Sequence, residues 1–192
     1  MALHSGSLRV RRANTATSTT LQTHLNASQS PNLRFGVYRA SELSEDRKRT
    51  MFSLLEAGVK DRLAASSMGW DETEKWEEVF SPLSRYILVV ATENENLAAF
   101  CHFRFEHEDE WDILYCYEVH VHQAWRRRGL GRALLNQLVA VGEAQKMKRL
   151  LLTVLNSNPE AHALYQGFGF KMDEDTPEDA DYEIMRYDLE RR

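Results

Sequence analysis

The sequence has little cysteine, little proline and no long apolar run, and each shortage removes a class of protein. Its two cysteines, Cys101 and Cys116, provide neither a disulfide framework nor a C-x-x-C metal spacing. That usage suits a reducing compartment and argues against a fold built on zinc. The longest uninterrupted apolar stretch, Tyr86–Ala91, is six residues, against the roughly 18 needed to cross a bilayer. Acidic residues are missing from Met1 to Ser41, where Arg9, Arg11, Arg12, Arg34 and Arg39 stand among many Ser and Thr. Residues 1–33 accordingly read as a flexible basic extension, with Asn14–Thr20 too polar to seed a core. An acid-free, Arg- and Ser-rich start also resembles an organelle transit peptide.

What remains, residues 34–192, reads as one globular domain. The chain of 192 residues is 43% hydrophobic and 28% charged, which fits a single soluble core and excludes disordered or fibrous classes. A net charge of −5 argues against coating a nucleic-acid duplex, which needs many phosphate-neutralising cations.

Ser44 is positioned to cap a helix that runs to Ala65, with Met51, Leu54, Leu55, Val59 and Leu63 on one stripe. Asp71 followed three residues later by Glu74 opens a shorter helix, which Pro82 stops. Arg85–Ala91 and Leu97–Phe105 read as a hairpin of strands. A charged loop, Glu106–Asp112, leads to a strand at Ile113–Val121. A helix over Arg128–Ala144, a strand over Arg149–Leu155, a helix opened by Pro159 that ends before Gly167, and a strand over Tyr182–Leu189 complete the order. The pattern predicts an α/β (α+β) fold, a single mixed sheet with helices packed on it.

The sharpest local signal is Arg126-Arg127-Arg128-Gly129-Leu130-Gly131-Arg132, between a strand and a helix. Glycine lets successive backbone N–H groups turn toward one anion, and the positive end of the following helix adds to the attraction. The third glycine of a dinucleotide fingerprint is replaced by Leu134, and no Gly-Lys-Ser/Thr follows, so neither a Rossmann nor a Walker loop is present. A solvated basic turn is the plain alternative.

Arg-x-x-Gly-x-Gly in this setting resembles the pyrophosphate signature of the GNAT acetyltransferase superfamily. The run Asn158-x-x-Ala161-x-x-x-Tyr165-x-x-x-Gly169-Phe170 is similar to that superfamily's second cofactor-contacting helix. Within it, Met68-Gly69-Trp70, Phe103-Arg104-Phe105, Tyr115-Cys116-Tyr117-Glu118-Val119 and Tyr182-Glu183-Ile184 resemble the N-alpha-acetyltransferase D (NatD) family, which acetylates histone termini. The likeness runs from about Ser44 to Arg186. It departs from that family at Leu63 and Met68, where the family has aromatic residues.

The resemblance implies a GNAT fold with helices on both faces of the sheet, acetyl-CoA as cosubstrate and no metal. It places the cofactor on Val119, Val121, Arg126, Arg127, Arg128, Gly129, Leu130, Gly131, Arg132, Asn158, Ala161 and Tyr165. The Val119 N–H polarises the thioester. It implies transfer to the α-amine of basic protein N-termini, histone tails starting Ser-Gly-Arg foremost. It further implies ribosomes or nascent chains as other partners, no membrane, no direct nucleic-acid role, a monomer, and cytoplasm and nucleus as the expected compartments. Acetylation of lysine or a small-molecule amine, or a CoA-binding module without turnover, are the alternatives.

Chemistry narrows the catalytic set. An α-amine titrates near 8 and a lysine near 10.4, so deprotonating lysine at neutral pH costs ~3 kcal/mol more and a chain terminus needs only a modest base. Glu118 is the candidate base, with Tyr117 beside it and Tyr165 a candidate proton donor to the departing thiolate. A solvent-facing Glu118 and a Tyr165 packed on Phe168 are the alternatives. Trp70, Tyr115, Tyr117, Thr153 and Tyr182 are expected to shape the substrate slot, although tryptophan and tyrosines also serve ordinary cores. Five carboxylates in Glu106–Asp112 and seven in Asp173–Glu183 flank the site and would attract a cationic peptide, the alternative being two solvated loops; the resemblance implies Glu106 and Glu108 as the arginine partners. Strict alternation would put Cys116, Glu118, His120 and His122 on one face and Tyr115, Tyr117, Val119 and Val121 on the other, unless a bulge intervenes. A His120/His122 metal pair lacks an evident third ligand.

Overall fold

A computed structural model of the protein describes residues 7–27, 30–108 and 110–189. The strands are β1 (Leu33–Arg39), β2 (Arg85–Ala91), β3 (Leu97–Glu108), β4 (Trp111–Val121), β5 (Arg149–Leu155), β6 (Lys171–Met172) and β7 (Tyr182–Asp188). They form one seven-stranded sheet in the order β1-β2-β3-β4-β5-β7-β6. All neighbours are antiparallel except β4 and β5. The helices are α1 (Leu8–Thr15), α2 (Ser18–Gln22), α3 (Glu45–Ala64), α4 (Glu72–Val79), α5 (Leu130–Ala144) and α6 (Pro159–Phe168).

The sheet separates two apolar clusters, so helices cover both faces as expected. Met51 and Leu55 of α3 and Val79 of α4 pack on Tyr86, Leu88 and Phe100. On the other face Leu134, Leu138 and Val141 of α5 pack with Ile87, Phe103, Leu114 and Leu150. Caps follow the sequence signals: the Ser44 side chain accepts from the Arg47 amide, and Asp71 from the Glu74 amide.

Residues 8–22 are not a flexible tail. They form α1 and α2, whose Val10, Ala13 and Leu21 are at most 2% exposed in the α5-side core. Burying each of the larger side chains stabilises by ~1.5–3 kcal/mol. The polar stretch that read as a linker is satisfied by partners distant in sequence. Arg85, itself buried, donates to the Asn14 carbonyl at 2.8 Å, and Arg39 to those of Thr15 (3.0 Å) and Ala16 (2.5 Å). Two guanidinium groups therefore take the carbonyls that the end of α1 leaves open. Met1–Gly6 of the expected extension lie outside the described residues.

Three boundaries also differ. The charged segment Glu106–Asp112 is the end of a hairpin, because β3 continues to Glu108 and β4 begins at Trp111; Asp109 lies outside the described residues. Helix α5 starts at Leu130, with Arg128 still in the loop. Gly167 is helical, and α6 stops two residues later at Gly169, whose φ of 121° turns the chain out.

Candidate active site

The site begins where β4 and β5 part. Their parallel pairing covers only Ile113–Cys116 against Arg149–Leu152. Beyond it, β5 stays with β7 while β4 stays with β3, whose register shifts so that His102 faces Glu118 and Phe103 faces Cys116. Tyr117 is the extra residue of a bulge. Strict alternation therefore fails here. Leu114 and Cys116 belong to the α5-side core, and Val119 and Val121 pack on it, whereas Tyr117 stacks on His102 and His120 lies against Phe100 on the opposite face. Tyr115, Tyr117, Glu118 and His120 share a wall, and Cys116 turns away from them.

That wall lines a cleft of about 490 Å³, closed by Val59, Arg62 and Leu63 of α3, Lys75 and Glu78 of α4, and Thr153, Asn158, Ala161 and Tyr165 opposite. The His122 amide donates to the Ala98 carbonyl at 2.9 Å, so backbone groups of alternate residues 120 and 118 face β3, and those of 119 and 121 face the side β5 has vacated. Val119 lines the cleft; the Val121 carbonyl accepts from Arg126 Nε at 3.2 Å.

Glu118 is buried, with both carboxylate oxygens occupied. Oε1 is 2.7 Å from Lys75 Nζ and Oε2 is 2.7 Å from His120 Nε2. Burial alone would raise its pKa, but the Lys75 charge and the His120 hydrogen bond prevail and bring it down to about 2. Lys75 also reaches Glu78 Oε1 at 3.0 Å, and these carboxylates raise its pKa against the opposing effect of burial. Sequence reasoning did not find Lys75: it is 43 positions from Glu118 (75 to 118), and an i,i+3 pair with Glu78 reads as surface decoration.

The tyrosines are individually committed. The Tyr117 hydroxyl donates to Glu106 Oε1 at 2.7 Å, its ring lies 4.9 Å from that of His102, and the Arg104 guanidinium sits 4.5 Å over it. Burial and the Glu106 hydrogen bond push its phenol up. The Tyr115 and Thr153 hydroxyls are 2.6 Å apart. Tyr165 is buried in the cleft wall, and burial pushes its phenol far up, so it stays protonated at neutral pH.

Other expected site residues lie apart from the cleft lining. Trp70 is half-buried against Phe52 with Lys60 over its ring. Glu106 is tied to Tyr117, and Tyr182 opens β7 opposite Leu155. Glu108 lines the cleft, as do Asp173 and Asp175 from the second acidic run. The link between that run and the α3–α4 connection is direct: Asp181 accepts from the Ser67 amide at 2.7 Å and from its hydroxyl at 2.6 Å. His120 and His122 do not converge; His122 caps a short turn by accepting from the Ala124 amide. Among the described residues no group of three or more His, Cys, Asp or Glu side chains is arranged to hold a metal ion.

The glycine loop has the shape an anion requires. Arg127 (φ 61°) and Gly129 (φ 79°) are left-handed, and Gly129 caps α5 without any side-chain hydrogen bond or acidic residue in the first turn. The leading N–H groups of α5 are thus open to an anion. Arg128 stacks over Trp125, and Arg132 donates to the Gly167 carbonyl at 3.0 Å. Leu130 buries its side chain, leaving only its backbone for the loop. Arg128, Gly129 and Arg132 also border a hollow of about 790 Å³ against Asn26, Phe35 and Gln137. Asn158 caps α6 by accepting from the Ala161 amide at 3.3 Å.

A model of the Acetyltransferase (GNAT) family matches residues 53–170, from α3 to the end of α6. The chain belongs to the GNAT acetyltransferase family. N-alpha-acetyltransferase 40 of Saccharomyces cerevisiae is 38% identical to this GNAT chain over 71 residues, 33% of this chain and 25% of that protein. The chain thus spans about a quarter of the length of that curated relative. The solved NatC complex bound to Gag peptide and CoA is similar with a TM-score of 0.62 at 13% identity, covering 83% of this chain and 99% of that one. Spermidine N-acetyltransferase from Vibrio cholerae, in complex with CoA and spermine, has a TM-score of 0.59 at 16% identity, covering 83% and 97%. These two likenesses establish the GNAT fold.

Proposed function

We propose that this GNAT enzyme is an N-terminal protein acetyltransferase, acting on the α-amine of basic protein termini and in particular on histone tails that start Ser-Gly-Arg. The observation that carries the reading is the cleft itself, whose wall sets Glu118 beside the free backbone edge of Val119 and whose lining carries Glu78, Glu108 and Asp175. Carboxylates around one opening concentrate a cationic peptide. The sequence likeness to an N-alpha-acetyltransferase supports the choice of amine.

In this reading, acetyl-CoA supplies the acetyl group as an activated thioester. The N–H groups at the start of α5, flanked by Arg128 and Arg132, would hold its diphosphate. The Val119 N–H, on the edge that β5 has vacated, would donate to the acyl oxygen. Glu118 stays anionic and orients the incoming amine, which at a chain terminus is partly neutral near pH 7 without help. Tyr165, protonated, gives its proton to the departing thiolate, and the proton shed by the attacking nitrogen passes through solvent back to the tyrosinate, so that the cycle closes.

The test is mass spectrometry of a Ser-Gly-Arg peptide after incubation with acetyl-CoA, beside an N-blocked twin that keeps the same lysines. Acetylation of the free peptide alone is expected; modification of both would remove the α-amine assignment. The acidic lining also suits a polyamine, so spermidine is included, and a preference for it over the peptide would redirect the reading to small amines.

A further inference from the structure

The most exacting arrangement in the cleft is one that acetyl transfer does not by itself require. An ammonium group from α4 stands 2.7 Å from one oxygen of Glu118, while the imidazole of His120 holds the other. The Lys75 side chain is only 15% exposed and that of Glu118 8%, so neither ion is solvated well enough for the contact to be incidental. A lone buried ion costs several kcal/mol, and each needs the other.

We infer that Lys75 is a positioning residue for the reaction: it fixes the Glu118 carboxylate as an anion against the cleft wall, in the place where the incoming amine is oriented. The inference rests on the acetyltransferase reading above and adds to it a residue that never touches the acetyl group.

The surroundings agree. On α4, Glu78 shares Lys75 and keeps the ammonium at the cleft. On the strand of Glu118 itself stand His120, which donates to it, and Cys116, whose buried thiol is pushed up, chiefly by burial. From β3 comes His102, fully buried and pushed by burial well toward its neutral form. From α6 comes Tyr165, a neutral phenol, and from α3 the Arg62 guanidinium, half-exposed at the cleft. Among the described residues, Lys75 is therefore the lysine or arginine whose charge lies in direct contact with Glu118. The helix that carries it is also held in register: its N-cap bond from Asp71 and the packing of Trp76 on Phe52 and Phe80 fix the turn on which Lys75 sits.

The experiment is the carboxyl-13C NMR titration of Glu118, with kcat and KM for the Ser-Gly-Arg peptide beside it, in wild type, Lys75→Met and Lys75→Arg. Removing an opposite charge at contact distance should raise the Glu118 midpoint by about 1–3 pH units. Arginine, which restores the charge, should return the midpoint to within a few tenths of wild type and recover kcat. A loss of rate in Lys75→Met with an unmoved Glu118 midpoint would overturn the inference and leave Lys75 a packing residue. Should the Met variant not fold, wild type decides: carboxyl-13C NMR of Glu118, assigned against Glu118→Gln, should titrate far below the ordinary glutamate range. A midpoint near 4–4.5 would sink the proposal. The NMR titration requires no turnover, so failure of the peptide to be acetylated would count against the assigned substrate and leave the Lys75–Glu118 result separate.

Discussion

The hydroxyl of Tyr115 meets that of Thr153 at 2.6 Å across the line where β4 and β5 separate. Tyr115 is still paired with Leu151 in the parallel ladder, whereas Thr153 is already beyond it and paired only with Ile184 of β7. The bond is the last tie between two strands before they open into the cleft, and it joins a tyrosine of one wall to the edge of the other.

Cutting that tie should cost little in stability and more in catalysis. Tyr115→Phe and Thr153→Val are each expected to destabilise by about 0.5–1.5 kcal/mol in urea unfolding. The double variant should show a coupling of ~0.5 kcal/mol or more. KM for the peptide should rise in all three. Strict additivity would mean the hydroxyls do not act as a pair.

Glu118 makes the folded protein sensitive to acid. Its pKa is about 2 in the folded state against 4.5 for a free glutamate, so the unfolded chain takes up the proton first. The stabilisation is complete above pH ~4.5 and is lost as pH falls toward 2, on the order of 3 kcal/mol in all. Glu118→Gln should flatten the wild-type decline in thermal midpoint across that window, and equal slopes would contradict the assignment. At neutral pH the same variant should lower kcat while CoA affinity, measured by calorimetry, stays near wild type.

Gly129 is a backbone requirement, not a matter of space. A Cβ there would meet nothing within 4 Å, but the residue sits at φ 79°. Gly129→Ala should destabilise by ~1–2 kcal/mol through strain, or move the loop and weaken CoA binding by about tenfold. Gly131→Ala is the contrast: its Cβ would press the flexible tip of Leu164 at 3.0 Å, which can give way. Isothermal titration of CoA into both variants checks the order, and a larger loss for Gly131→Ala would reverse the argument.

The first ordered segment should detach when its cap is removed. Arg85→Ala takes away the donor to the Asn14 carbonyl and leaves a cavity behind a fully buried side chain. A loss of about 2–5 kcal/mol is expected, with amide exchange rising first in Leu8–Leu25. Protection lost evenly over the whole chain would instead mark Arg85 as a general core residue.

The parts of this structure that could be foretold are those governed by neighbours in sequence. Ser44 and Asp71 cap the helices they precede, and the apolar runs Arg85–Ala91 and Arg149–Leu155 are strands with those bounds. The glycine loop and the Asn158 cap lie where their motifs indicate. What escaped depends on distance. The helices of residues 8–22 are held by Arg39 and Arg85, and β1 by its pairing with β2. The Lys75–Glu118 pair joins a helix to a strand with two whole strands, β2 and β3, between them. The faces that strict alternation gives β4 hold only up to Tyr117, because the bulge there depends on pairing with β3 and leaves no mark in the local pattern.

That position has an evolutionary corollary. Since Tyr117 is supernumerary in the ladder, losing that single codon would close the bulge and leave Glu118 to Val121 on the faces they now hold, removing from the slot only the ring that lies on His102 and the hydroxyl that grips Glu106. A relative one residue shorter here should therefore keep its carboxylate and imidazole facing inward. An alignment of such a relative should set its gap opposite Tyr117.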